Sequence, residues 1–292
     1  MKRQQTSILS GQAWILLAAF LWSLIGVFSK ICLEAGLNPL EIAFWRAALG
    51  ALCFLIYAFI RKALSIALSH ALAFLIFGIW GIGIFFASLQ FSIQYSGAAT
   101  AMMLLYTAPV WVALFSRLFF GEQISRHKIC AIGAALAGTA LISLSGGSLP
   151  GQSSWLGIAC GLASGLCYAT HYPFYRWWQN RYSTAAIYSL MLAGGALALL
   201  CCVPVRFSHA PQIWFWLAML GVTTTFLAYT AYGQGLKRIS LVRAAVTCQL
   251  EPVLGTLWVW LFWAENFSLT GWLGSGLVLG AVLWLSRDKD QQ

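Results

Sequence analysis

Apolar residues run in blocks of about twenty along nearly the whole chain, and polar residues are confined to short connectors. A helix needs about 20 apolar residues to cross the hydrocarbon core of a bilayer. By that rule the pattern predicts spanning helices near 12–33, 39–60, 71–92, 97–118, 127–145, 154–175, 184–204, 213–235, 240–263 and 268–286. The predicted class is therefore an all-α integral membrane protein with ten transmembrane helices. The longest connector, Ser145-Gly-Gly-Ser-Leu-Pro-Gly-Gln-Ser-Ser154, is rich in turn formers and separates a first unit, 1–148, from a second, 149–292.

Polar positions inside the blocks repeat. Tyr106-Thr-Ala-Pro109 leads on to Phe119-Phe-Gly-Glu122, and Gln249-Leu-Glu-Pro252 leads on to Phe262-Trp-Ala-Glu265. The same offset of 143 pairs Gly78 with Gly221, Ser125 with Ser268, and Gly133 with Gly276. An offset of 145 pairs Leu17-Ala18 with Leu162-Ala163, and Gly50 with Gly195. Five spans per half is an odd number, so the second half enters the membrane from the opposite side. Such 5+5 inverted-topology repeats build carriers around a mid-bilayer site.

Composition agrees with lipid as the solvent. Of 292 residues 61% are apolar and 8% charged, whereas a soluble chain is about a quarter charged. The net charge of +10 would suit nucleic acid, but the basic residues occupy short connectors, where they read as topology signals. Nucleic acid is excluded as a partner. Lys2, Arg3, Arg61, Lys62, Arg126, Lys128, Arg176, Arg181, Lys237, Arg238, Arg287 and Lys289 fall on one side, against Lys30 and Arg206 on the other. Both termini are thus expected in the cytoplasm. The first apolar block lacks a small-residue cleavage site and is expected to remain as a helix. The eight cysteines lie mostly inside apolar blocks without CxxC or CxxH spacing, so they read as buried hydrophobes and not as metal ligands.

The ten spans, the proline-to-acid spacing closing the fourth helix of each half, Leu17-Ala-Ala-Phe-Leu-Trp22, Glu41 through Arg46 and Leu250-Glu-Pro252 together resemble the drug/metabolite transporter superfamily, EamA type. The resemblance implies a multi-pass carrier of the bacterial inner membrane, mostly an exporter of amino acids and related metabolites. It implies a central cavity lined by helices 1, 3, 4, 6, 8 and 9, with helices 2, 5, 7 and 10 at the periphery.

Several residues are candidates for the work of transport. Pro109 and Pro252 each remove a backbone donor in mid-span and free the carbonyl four residues back, at Leu105 and Cys248. They are expected to act as paired hinges, against the alternative of static kinks. Glu251 lies near the middle of its span, where a lone charge is costly. Its carboxyl must be neutral or paired; it would bind a substrate amine, exchange a proton, or bond a neighbouring helix. Tyr106 and Gln249 are equivalent in the two copies, but Gln249 lies about 200° around the helix from Glu251. Both line one cavity only if Pro252 distorts the turn. Trp22, Tyr168, His171 and Tyr229 supply an aromatic wall suited to planar or cationic ligands, and His171 adds an imidazole that changes charge near neutral pH. Arg46 and Glu41, five residues apart on different faces, are expected as structural charges or a gate latch. Tandem Gly157/Gly161/Gly165 and Gly276/Gly280 are expected to pack helices within the chain.

No GxxxxGK[ST] loop or HExxH motif is present, so no cofactor, metal or enzymatic role is expected. The sequence points to secondary active transport of a small metabolite, amino acids first, aromatic ones included. The bilayer is its solvent, and proton or counter-substrate coupling is open to it as a monomer or homodimer. The rival readings are a carrier for a quaternary amine or drug cation in an aromatic cage, a membrane-embedded enzyme, and a non-transporting scaffold.

Overall fold

Proline and glycine, together with short polar caps, cut the apolar blocks into helices at defined places. The computed structural model describes residues 2–145, 154–263 and 268–287. The Gly/Ser/Pro connector at 146–153 and Glu265, the acid of the second copy, therefore lie outside the described residues. Among the described residues every regular element is helical. Helix α1 runs Lys2–Ser23 and, past Leu24, Ile25–Glu34; α2 is Pro39–Ile60. Helix α3 runs from Leu68 to Gly97, and α4 from Thr100 to Phe120. Helix α5 is Arg126–Ser145, α6 Trp155–Trp178 and α7 Thr184–Leu200. Helix α8 runs from Pro211 to Leu236. Helix α9 runs Leu241–Cys248 and Leu250–Trp263, and α10 is Leu269–Arg287.

Capping residues fix several starts. The Asn38 side chain accepts from Leu40 N at 2.9 Å ahead of Pro39. Ser154 and Ser183 accept from Gly157 N and Ala186 N, each at 3.1 Å, satisfying donors that a first turn leaves open. Gly97 (φ 79°) turns the chain between α3 and α4, and Gly121 (φ 65°) ends α4, both in a conformation that favours glycine.

Among the described residues, eight helical stretches are long and apolar enough to cross a membrane. Helix α7 is shorter at 17 residues. Helix α6 is 24 residues long but is diluted by Ser, Thr, His and Tyr, and it is not among the eight. Large apolar side chains cover the outside of the bundle, including Ile56, Phe59 and Ile60 on α2 and Leu269, Leu273 and Leu283 on α10. Exposed apolar surface of that extent belongs against lipid.

The packing partners follow a pattern. Helix α1 lies against α8 and α9, α6 against α3 and α4, α2 against α7, and α5 against α10. Glycine permits the closest crossings. A Cβ on Gly138 would strike the Gly274 carbonyl, and one on Gly274 would strike that of Gly138, so α5 and α10 meet backbone to backbone. Gly157, Gly161 and Gly165 pack on Ser96, Ser92 and the carbonyls of Leu104 and Leu105, as expected for packing within the chain. Gly276 and Gly280 do not: a Cβ at either meets nothing within 4 Å among the described residues. The side of α10 that packs on α5 is instead the one carrying Gly274 and Val278.

Candidate functional site

Two helices widen at matching places. Helix α3 makes a π turn at Ile79–Ile84 and α8 makes one at Val222–Leu227. Each widened turn receives a buried polar side chain from another helix. The Nε2 of His171, on α6, bonds the Gly81 carbonyl at 2.6 Å, and a Cβ at Gly81 would crowd that nitrogen. The Nε of Arg46, on α2, donates to Thr225 Oγ1 at 3.1 Å. Thr225 in turn donates to the Leu220 carbonyl at 3.0 Å, as Thr224 does at 2.8 Å. Hydroxyls competing for the helix's own carbonyls loosen a ladder in this way, and π turns concentrate at functional sites.

Between these turns lies a cavity of about 250 Å³. Helix α1 gives it Trp22, Ser23 and Gly26, α2 gives Arg46, and α3 gives Phe85, Phe86 and Leu89. Helix α4 adds Met102, Leu105 and Tyr106, α6 Tyr168, α8 Tyr229, and α9 Glu251, Pro252 and Gly255. Six of the sixteen lining residues are aromatic. Tyr168 stacks on Phe85 with centroids 5.7 Å apart, and Trp22 meets Tyr229 edge-on at 5.3 Å. Tyr172, Tyr175, Tyr188 and Tyr232 are fully buried and close the packing on one side of that wall. The Trp22 Nε1 donor is buried with no partner among the described residues.

A basic and an acidic side chain line this space. The Arg46 guanidinium lies 5.4 Å from the centroid of the Phe86 ring, within cation–π range. Glu251 makes no hydrogen bond to another described residue, and no ion pair joins it to Arg46. The expectation that α2 would stand apart from the cavity is therefore not met. Arg46 is only 9% exposed and is part of the lining. Glu41 is elsewhere, at the start of α2. It accepts from Arg206 N at 2.8 Å and from His209 Nε2 at 3.2 Å, tying α2 to the connector before α8.

The structure brings Trp22, Tyr106, Tyr168, Tyr229 and Glu251 together around the cavity. Gln249 and His171 are not in the lining. The backbone is interrupted at Gln249, between Leu241–Cys248 and Leu250–Trp263, and the Gln249 amide donates to the Tyr106 carbonyl at 3.0 Å. His171 is committed to Gly81. Both proline sites are true breaks: Pro109 follows a turn at Tyr106–Thr107, and Pro252 follows the interruption at Gln249. Thr107 Oγ1 donates to the Leu104 carbonyl at 2.6 Å, so a side chain takes up one acceptor that the turn exposes.

The family model of the EamA-like transporter family matches residues 9–144 and 155–287. The chain belongs to that family. It is a multi-pass membrane transporter. One relative, an uncharacterized transporter of Archaeoglobus fulgidus, is 28% identical over 278 residues, covering 95% of this chain and 97% of the relative. Another, the pseudopaline exporter CntI of Pseudomonas aeruginosa, is 29% identical over 287 residues, covering 96% and 97%. A solved crystal structure superposes with a TM-score of 0.81 over 96% of both chains at 19% identity, so the two share a fold.

Within this EamA-like chain, sequence reasoning missed Phe85, Phe86 and Leu89 as lining residues. For Phe86 a signal existed: the offset of 143 that aligns the prolines also places Phe86 opposite Tyr229. Both lie just beyond a π turn and both face the cavity. Neither π turn had a sequence signature of its own.

Proposed function

We propose that this transporter exports a small zwitterionic metabolite, an amino acid or close relative, by alternating access of two inverted five-helix units, 1–148 and 149–292. The observation that carries the reading is the cavity holding Arg46 from the first unit and Glu251 from the second, both in the lining and not paired with each other. A carboxylate on the ligand would sit against Arg46 and an ammonium against Glu251, and each would relieve a charge that is otherwise costly at membrane depth. The aromatic wall would take an apolar or aromatic side chain. Size agrees: about 250 Å³ exceeds the roughly 150 Å³ that holds a benzene yet falls below the range typical for drug-sized ligands.

The repeat is supported by several features together. The π turns, the proline breaks and Phe86/Tyr229 all recur at an offset of 143. The helix packing maps onto itself when the halves are exchanged: α1 on α8 becomes α6 on α3, while α2–α7 and α5–α10 pair each helix with its counterpart. On this reading α6 and α7 also cross, giving ten spans, and Pro109 and Pro252 are hinges. Basic connectors favour cytoplasmic termini in a bacterial inner membrane. A quaternary-amine carrier is the second reading, favoured by Trp22, Tyr106, Tyr168 and Tyr229 around Glu251; Arg46 in the same lining opposes it.

Proteoliposome transport tests the reading. Glu251→Gln should remain folded and lose transport of amino acids, and a thermal-shift screen should favour zwitterions over quaternary amines. Full transport by Glu251→Gln would remove Glu251 from the mechanism, and a preference for quaternary amines would reverse the substrate class.

A further inference from the structure

A second indentation, of about 560 Å³, opens at one end of the bundle, far along the helices from the aromatic cavity. It lies where α4 gives way to α5, where α6 ends, and where α8 turns into α9. Its charged lining is Glu122, Lys128, Arg176, Lys237 and Arg238. Positive charge in membrane-protein connectors is ordinarily solvated and carries only topology. Here part of it is built in. Lys128 is 4% exposed and is held by Glu122 at 2.7 Å and the Gln123 carbonyl at 3.3 Å. That pair uses the pocket's carboxylate.

Three cations remain without a carboxylate partner among the described residues. Arg176 spends one N–H on the Ile239 carbonyl at 2.6 Å, while its Nε is buried with no partner. Arg238 bonds the Gln234 carbonyl at 2.5 Å and the Gln234 side-chain oxygen at 3.0 Å, both neutral acceptors. Lys237, exposed on the turn, has no hydrogen-bond partner among the described residues. Partial desolvation of its stem, and then the adjacent Arg238, push the Lys237 ammonium below its ordinary range, the condition that a bound anion relieves. The depth is also marked. Phe120, in the lining, and Phe119 both meet Trp177, at 5.8 and 5.1 Å, and all three are exposed. Exposed aromatics of this kind sit at headgroup level.

We propose that this pocket binds a phosphate group through Arg176, Lys237 and Arg238. Guanidinium forks match phosphate geometry, and a lysine adds a point charge. Phospholipid headgroups and free phosphate offer the same chemistry, and the test separates them. The full chain in neutral detergent is titrated with phosphatidylglycerol, phosphatidylcholine or inorganic phosphate while its unfolding midpoint is followed, alongside Lys237→Glu and Arg176→Gln. Lys237 lies on an exposed turn, so its replacement leaves the packing intact. Stabilisation by phosphatidylglycerol and not phosphatidylcholine, with affinity at least about tenfold weaker in Lys237→Glu, identifies a lipid headgroup; the factor is that of one lost charge-assisted hydrogen bond. The same behaviour with inorganic phosphate identifies a free anion. Stabilisation by neither, or equal stabilisation of Lys237→Glu and the parent chain, overturns the proposal.

Discussion

The side-chain amide of Gln249 donates to the backbone carbonyl of Tyr106 at 3.0 Å, joining the two proline breaks from equivalent positions 143 residues apart. Proline frees carbonyls in mid-span, and in lipid each freed acceptor needs a partner. Here one break supplies a donor to the other, so the two interruptions are held as a unit. Gln249→Leu keeps the apolar stem and removes the donor, leaving a buried carbonyl unpaired. A loss of about 1–3 kcal/mol of stability is expected, measured by unfolding of the purified protein in detergent. An unchanged unfolding curve would mean that the bond does not hold the breaks together.

Arg46 reaches the cavity while its Nε is engaged by Thr225. Arg46→Lys keeps a positive charge but loses the fork that bonds Thr225. If a substrate carboxylate lies against this group, both Arg46→Lys and Arg46→Gln should raise KM at least about tenfold. The corresponding decarboxylated amine should show no such change between parent and variant. Uptake into proteoliposomes, compared for an amino acid and its amine, checks this. Equal losses for both ligands would assign Arg46 to structure alone.

The helices were legible because lipid imposes a length rule, and the cavity was legible only in part. Trp22, Tyr168, Tyr229 and Glu251 stood out as aromatic or charged side chains inside apolar blocks. Arg46 stands out too, but its place in the cavity lining does not follow from the resemblance, which puts α2 at the periphery and carries no rotamer. Gln249 and Glu251 could not be separated, since the face of α9 past Gln249 depends on how the chain breaks there. His171 looked like a ligand group on an aromatic stripe. It was claimed by a carbonyl in a π turn, and no residue pattern announces where a helix will widen.

Glycine contacts make a paired prediction. A Cβ at Gly165 would press on the carbonyls of Leu104 and Leu105, at the broken turn of α4. These are backbone atoms without freedom to move aside, so Gly165→Ala should destabilise by about 1–3 kcal/mol through overpacking. Gly276 faces open space within the same fold, and Gly276→Ala should be neutral or stabilising by up to about 1 kcal/mol through helix propensity. Unfolding midpoints of the two variants, measured side by side, decide the point. A comparable loss at Gly276 would reveal a neighbour that a single chain does not supply.

The acid that closes the first copy has a structural task that can be isolated. Glu122 accepts from Lys128 at 2.7 Å and also from Ser116 Oγ, and Lys128 is buried. Removing one member of a buried pair strands the other, at a cost of about 3–5 kcal/mol. Glu122 keeps some exposure, 15% for its side chain, which places the expected loss for Glu122→Gln near the lower end, about 3 kcal/mol. Replacing both partners removes the stranded charge. The double variant Glu122→Gln/Lys128→Met should therefore recover at least half of that loss, although each single change destabilises. A double-mutant cycle on unfolding free energies measures the coupling. Strict additivity, with the double variant as poor as the two single losses combined, would show that Lys128 is stabilised by its surroundings without help from Glu122.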